Sequence, residues 1–405
     1  MKKRLFNLRL LFTLIVVFES TCYAVIVAQQ VAAPYQLNGI DYIAIYTGGY
    51  IAHYDGLIHV YDLSLQQRVE AAAALPLQLA RFYPYNHPPF LIQILEWITT
   101  SDLTGSFSRW VLVLFAFHMI SLVLLANLMK LSGWNRKQVW IASISGLLFY
   151  PIFSTYLKGQ DSTFLLLGAV LWTYGLLTEK DMLAGLGLAV TALRPQIALM
   201  LAIPFLFNRR KVVWWFVGWG SSFLIYFFLL IGEKGLKDFV QLLFLTASGM
   251  GIDVDKMPTL MGSVVRAFPG IPAFYLNCIG YSGYALAILF LCIIWKKSQH
   301  LQFKHVGVAI LLSTFFSPHL HFHDLSLLLI PTLGAAAVLI EHKILSKNNA
   351  VLLPLMISLV LLISQVFLAV DIFWSYLIIY LSMLLLGFLL WWPGWRRIYY
   401  QRQIS

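Results

Sequence analysis

Apolar and polar residues fall along this chain in long blocks. They do not follow the two-residue period of a strand or the one-sided stripe of a surface helix. Apolar blocks run near 8–30, 110–130, 138–157, 162–178, 183–193, 196–208, 212–232, 276–296, 304–317, 322–341, 350–370 and 373–393. Several approach the roughly 20 apolar residues that cross a bilayer. In lipid the backbone must satisfy its own polar groups, so every block is expected to be a helix. Three blocks, 183–193, 196–208 and 304–317, are short and read as half-spans that stop part-way through the membrane. The expected fold class is an all-α polytopic membrane protein with about 12 transmembrane or half-spanning helices. It forms one integral membrane domain over 1–405, with a large outer loop at 31–109 and a second at 233–275.

Composition agrees with that pattern. Hydrophobic residues make up 60% of the chain and charged ones 11%, against about 25% charged in soluble domains. A net charge of +11 therefore does not mark a nucleic-acid binder. With the N-terminus inside and the blocks alternating, the basic clusters Lys2-Lys3-Arg4, Arg136-Lys137, Arg209-Arg210-Lys211, Lys296-Lys297 and Arg396-Arg397 all fall on one face. That face is cytoplasmic by the positive-inside rule, and both termini lie on it. The half-spans 183–193 and 196–208 are needed as a pair, because a single span there would put Arg209-Arg210-Lys211 outside. The basic start, the apolar core and Cys22-Tyr23-Ala24 resemble a signal peptide. The apolar run continues past this weak cleavage match, so an uncleaved first span is expected. Glu19 inside that span is expected to be a satisfied interhelical hydrogen-bonding group. Cys22, Cys278 and Cys292 have neither metal-ligand nor disulfide spacing.

The reactive inventory gathers on the opposite, outer face. The stretch GIDYIAIYTGGYIAHYDGLIHVYD follows the first span and carries Asp41, Asp55 and Asp62. Its position outside separates none of the three acids from the others. The block 138–157 runs on into Lys158-Gly159-Gln160-Asp161-Ser162, the two half-spans meet at Arg194-Pro195-Gln196, and 304–317 leads into SPHLHFHD with His319, His321, His323 and Asp324. A charge in a bilayer costs roughly 2.5–3.5 kcal/mol on insertion scales, so Arg194 is expected to face a cavity or a partner. The imidazoles of HLHFH would share one face on a strand, and only His319 and His323 would do so on a helix. Binding an anion or orienting a substrate is the favoured use. A divalent metal is the less favoured one, and no cofactor is expected.

An outer carboxylate beside a cation at the outer membrane level suits glycosyl transfer from a lipid-linked sugar phosphate. The carboxylate takes the proton of the attacking acceptor hydroxyl. The cation meets the phosphate as it leaves.

Four groups of residues carry a resemblance: Asp41-Tyr42 with Tyr46, Gly49, Gly56 and Tyr61-Asp62; Tyr85-Asn86-His87-Pro88-Pro89-Phe90; Gly159-Gln160-Asp161-Ser162; and GLGLAVTALRPQIALMLAIPFLF with the later Ser317-Pro318. In their order the chain resembles glycosyltransferase family 87, polyprenol-phosphate-mannose-dependent enzymes of the GT-C fold, over most of 8–341. Arg194 stands where that family often has lysine, and His87 and HLHFHD differ from its commonest wording. The resemblance implies an inverting transferase of the cell membrane with an extracytoplasmic active site. It implies Asp41 as base and Arg194 on the carrier phosphate, with Lys158 and His323 as weaker candidates. Gln160, His87, His319 and His321 would orient donor or acceptor. The implied partners are a polyprenyl-phosphate-linked sugar, most simply mannose, a glycan or glycolipid acceptor, and membrane lipids, without nucleic acid. The rival readings are a lipid or sugar transporter, transfer of arabinose or of a whole oligosaccharide, and an inactive lipid-binding scaffold.

Overall fold

A computed structural model describes residues 8–32, 41–77, 79, 81–247, 253–298, 301–345, 347–368 and 370–391. The terminal clusters Lys2-Lys3-Arg4 and Arg396-Arg397, on which the orientation partly rests, lie outside the described residues. Every regular element among the described residues is helical. In chain order they are α1 (Leu8–Ala32), α2 (Tyr42–Tyr54), α3 (Leu63–Ala74), α4 (Ile92–Ile98), α5 (Leu103–Leu131), α6 (Arg136–Leu147), α7 (Tyr150–Lys158), α8 (Ser162–Leu177) and α9 (Asp181–Thr191). There follow α10 (Pro195–Ala202), α11 (Arg210–Ala247), α12 (Leu260–Ala267), α13 (Ala273–Lys297), α14 (Phe303–Phe316), α15 (Leu329–Glu341), α16 (Lys347–Ala350), α17 (Leu353–Leu368) and α18 (Ile372–Leu390).

Among the described residues, seven helical stretches are long and apolar enough to cross a membrane: Leu10–Ala32, Leu103–Leu131, Arg136–Lys158, Arg210–Thr246, Ala273–Lys297, Phe322–Glu341 and Ile372–Leu390. The blocks at 183–193, 196–208 and 304–317 are short helices, as are Ser162–Leu177 and Leu353–Leu368. The first outer segment is more than a loop, for it holds α2, α3 and α4. Within it, α3 runs from Leu63 to Ala74 and is capped by Asp62.

Helix breaks have identifiable causes. Within block 138–157, Pro151 in the first turn of α7 marks a new start. The carbonyl freed there, on Leu148, accepts from Tyr23 Oη at 2.6 Å and Ser358 Oγ at 2.9 Å. In α11, Gly232 takes φ 64°, which a side chain would resist, and the helix kinks there. Glu19 is fully buried; its carboxyl oxygens make no hydrogen bond of good geometry, and the Ser358 hydroxyl of α17 is their polar neighbour.

Two apolar cores meet at the site. One unites α2, Tyr61, Tyr85, Trp110, Phe164 and Leu193. The other unites Leu165, Leu188, Ile197, Leu320, Leu325 and the interior faces of α13, α14, α15, α17 and α18. The heads of α8 and α10 lie between them. The α8–α9 pair is drawn close by glycine. A Cβ on Gly187 would fall 2.2 Å from Trp172 N and 2.6 Å from Gly168 O. Backbones so near are possible only where side chains are missing, as in small-residue seams of membrane helices. That seam fixes the end of α9, and with it Arg194.

Candidate active site

Asp41 directly precedes α2. It has helical dihedrals and its side chain caps nothing, so the carboxylate is available. The helix N-terminus behind it favours an anion. The Gln160 side chain hydrogen-bonds it, and Lys158, His323 and His321 lie within electrostatic reach. Burial alone would raise its pKa. Lys158, His323 and the Gln160 bond more than offset that and hold the carboxyl below its ordinary value.

The turn after α7 brings these neighbours in. Gly159 adopts φ 66°, the left-handed end of a helix that glycine accepts without strain. The Gln160 N–H then reaches back to Thr155 O at 3.0 Å. Trp110 Nε1 donates to Gly159 O at 2.7 Å. On its other side, Gly159 lies so near Tyr42 that a Cβ would stand 2.8 Å from that residue's Cβ. The turn is thus pressed onto the residue next to Asp41, and Gln160 reaches it. Lys158, the last residue of α7, stays exposed.

Behind this lies a buried ionic network. Arg194 Nη2 donates to Asp161 Oδ1 at 2.9 Å, and Nε donates to Asp324 Oδ2 at 3.4 Å. His87 Nδ1 is 2.7 Å from Asp161 Oδ2. Ser162 Oγ donates to Asp324 Oδ1 at 2.7 Å, and the His321 N–H donates to Asp324 Oδ2 at 3.3 Å. Burial opposes the charge on Asp161, but Arg194 and His87 hold its pKa well below the carboxylate range. Arg194 therefore has its partners already. The sequence anticipated that it would need one, and placed that partner on a ligand.

The histidines form a row. The rings of His319 and His321 are 4.8 Å apart, and those of His321 and His323 are 5.6 Å apart. Gln196 Nε2 and Ser317 Oγ both donate to His319 O, at 2.7 and 2.8 Å. Burial, then His321 and Arg194, push the His319 pKa down to about 3. Burial also lowers that of His321. Burial therefore favours the uncharged form of both imidazoles. Among the described residues, no three His, Cys, Asp or Glu side chains group as a metal-holding set.

All eight residues singled out from the sequence lie in one connected network. Asp41 touches Gln160 and senses Lys158, His321 and His323. His323 lies 3.9 Å from Asp324, which leads through Arg194 and Asp161 to His87, while His319 stacks edge-on to His321. Two members had no role assigned from sequence, Asp161 and Asp324. The available signal was an acid in each motif with no cation beside it in sequence. The structure also separates the three outer aspartates. Asp55 is exposed at the far end of α2. Asp62 caps α3, accepting from Leu65 N at 3.1 Å.

No curated protein and no solved structure matches the chain. A family model, that of glycosyltransferase family 87, matches residues 85–318. The matched stretch includes His87, Lys158, Gln160, Asp161 and Arg194, while Asp41 precedes it and the histidine row follows it. It covers more than half of the chain, and on that ground the protein belongs to glycosyltransferase family 87, a family of membrane glycosyltransferases.

Proposed function

We propose that this glycosyltransferase moves a mannosyl residue from a polyprenyl-phosphate donor to an acceptor hydroxyl on the extracytoplasmic face, with inversion and with Asp41 as general base. One observation carries the reading: Asp41 is a carboxylate free of capping duty, held ionised by Lys158 and the Gln160 hydrogen bond. The choice of mannose and of a polyprenyl carrier rests on the family resemblance.

The roles follow from charge. Asp41 is a weak base at rest, yet it needs only to be ionised when the acceptor proton departs from an oxocarbenium-like transition state. Lys158 is the exposed cation of the group and the natural contact for the donor phosphate. A phosphate that takes Lys158 removes part of the stabilisation of the Asp41 anion, so donor binding itself strengthens the base. Arg194, committed to Asp161 and Asp324, holds the frame and does not clamp the phosphate. His87, with Nδ1 on a buried carboxylate, keeps Nε2 for a sugar hydroxyl. The neutral His319 and His321 serve in the same way.

The test is transfer of radiolabelled mannose from polyprenyl phosphate mannose in membranes holding wild type, Asp41→Asn or Asp55→Asn at matched levels. Loss in Asp41→Asn alone supports the reading. Equal transfer by wild type and Asp41→Asn sinks it. No transfer by wild type points to another sugar, such as arabinose.

A further inference from the structure

Away from Asp41, α3 carries two buried polar side chains that the proposed chemistry does not use. Gln66 and Glu70 lie one turn apart on the same face of α3, with exposures of 0% and 2%. Gln66 Oε1 accepts from Tyr85 N at 2.9 Å, and its Nε2 donates to Tyr85 O at 3.2 Å and to Val60 O at 2.7 Å. Glu70 Oε1 accepts from Tyr83 N at 2.9 Å, while its Oε2 is buried without a partner. Residues 82–86 have no regular secondary structure. The half-buried amide of Tyr83 and the buried one of Tyr85 still require acceptors, and the side chains of α3 supply them as a neighbouring strand would.

The segment held in this way ends at His87. Tyr61 Oη donates to His87 O at 2.7 Å. The Tyr85 ring is wedged on α2, where a Cβ on Gly48 would be 2.6 Å from it. Tyr85 and His87 have ring centroids 5.4 Å apart. The backbone grip at residues 83 and 85 thus determines where the imidazole at 87 meets Asp161.

We propose that Gln66 and Glu70 are positioning residues. From α3 they set the backbone of 83–85, so that His87 presents its free nitrogen to a sugar hydroxyl. This rests on the reading of His87 given above. Burial pushes the Glu70 carboxyl up to about 7, opposed by the Tyr83 N–H. No charged side chain among the described residues contributes to that shift, and nearby Arg81 is paired with Asp253 at 2.9 Å. A raised carboxyl pKa means the folded segment prefers the protonated form. Ionisation as pH rises through about 7 therefore leaves a charge buried at the unpartnered Oε2 and loosens α3 against 83–85, although the Tyr83 N–H bond itself favours the anion.

The test uses the full-length protein, with transfer kinetics at varied donor and acceptor, and hydrogen exchange at the amides of Tyr83 and Tyr85. Glu70→Ala, which gives up one bond, is expected to raise KM for one of the two substrates about tenfold, and Gln66→Ala, which gives up three, by at least as much, with little change in kcat. His87→Ala should raise the same KM, and Gln66→Ala/His87→Ala should add nothing further. Glu70→Gln, which keeps the acceptor oxygen, should restore KM and abolish its rise above neutral pH. Amide protection should fall in the two alanine variants and return in Glu70→Gln. Additive effects of Gln66 and His87, or lost amide protection with unchanged KM, would overturn the proposal. The exchange arm needs no turnover. Full transfer by Asp41→Asn, with exchange and KM changes as expected, would refute the base and leave the grip standing.

Discussion

Arg194 joins Asp161, at 2.9 Å, to Asp324, at 3.4 Å, and so holds together two buried carboxylates 163 positions apart in the chain. Removing the guanidinium leaves both acids buried without their counter-charge. Arg194→Met is expected to cost about 3–5 kcal/mol of stability, the usual result of breaking a buried pair. The loss would be seen as a lower midpoint in detergent thermal unfolding. Lys158→Met should stay within about 0.5 kcal/mol of wild type, as exposed substitutions do, and should raise KM for the donor. The reverse pattern would return the phosphate to Arg194.

The three outer aspartates are predicted to behave differently. Asp41→Asn should lower kcat by roughly 10²–10⁴, the usual contribution of a general base, with unfolding unchanged in the same assay. Asp55→Asn should do nothing. Asp62→Ala removes a helix cap and should cost about 1 kcal/mol of stability, with full transfer per folded molecule.

The pH profile follows from the depressed Asp41 carboxyl. A base with a lowered pKa stays ionised until the pH falls below the ordinary carboxylate range, so kcat/KM should be flat on its acid side down to about pH 4. Activity is lost as pH falls through the folded pKa, not as it rises. Lys158→Met removes the leading stabiliser of the anion. The acid limb should then move to higher pH. An unmoved limb would mean that another group titrates.

Gly159→Ala tests the turn that carries Gln160. Its φ of 66° disfavours a side chain, and the added methyl would stand 2.8 Å from Tyr42 Cβ. Relief of that clash moves Gln160 away from Asp41. A displacement near 1 Å is expected to lower kcat about 100-fold, while stability falls by about 1 kcal/mol. Kinetics and unfolding of the same preparation separate the two effects.

The apolar blocks were legible because bilayer length and backbone satisfaction leave little choice: 276–296 became Ala273–Lys297 and 304–317 became Phe303–Phe316. The first outer segment was less legible. α2 is buried over most of its length and its small and aromatic residues mix without a polar face, so neither period stands out. At the site, the residue types were readable and their pairing was not. Nothing local tells Arg194 that Asp161 lies 33 positions back and Asp324 lies 130 ahead. By residue chemistry alone Asp41 and Asp62 are alike, and the cap on α3 is what sets them apart physically.

The contact between Gly168 and Gly187 closes one side of the protein. With the two backbones this near, no hydrocarbon chain fits between α8 and α9, because an alkyl tail needs its own van der Waals width. The lipid tail of the proposed donor is therefore kept out of this seam. Larger residues there would pry the two helices apart.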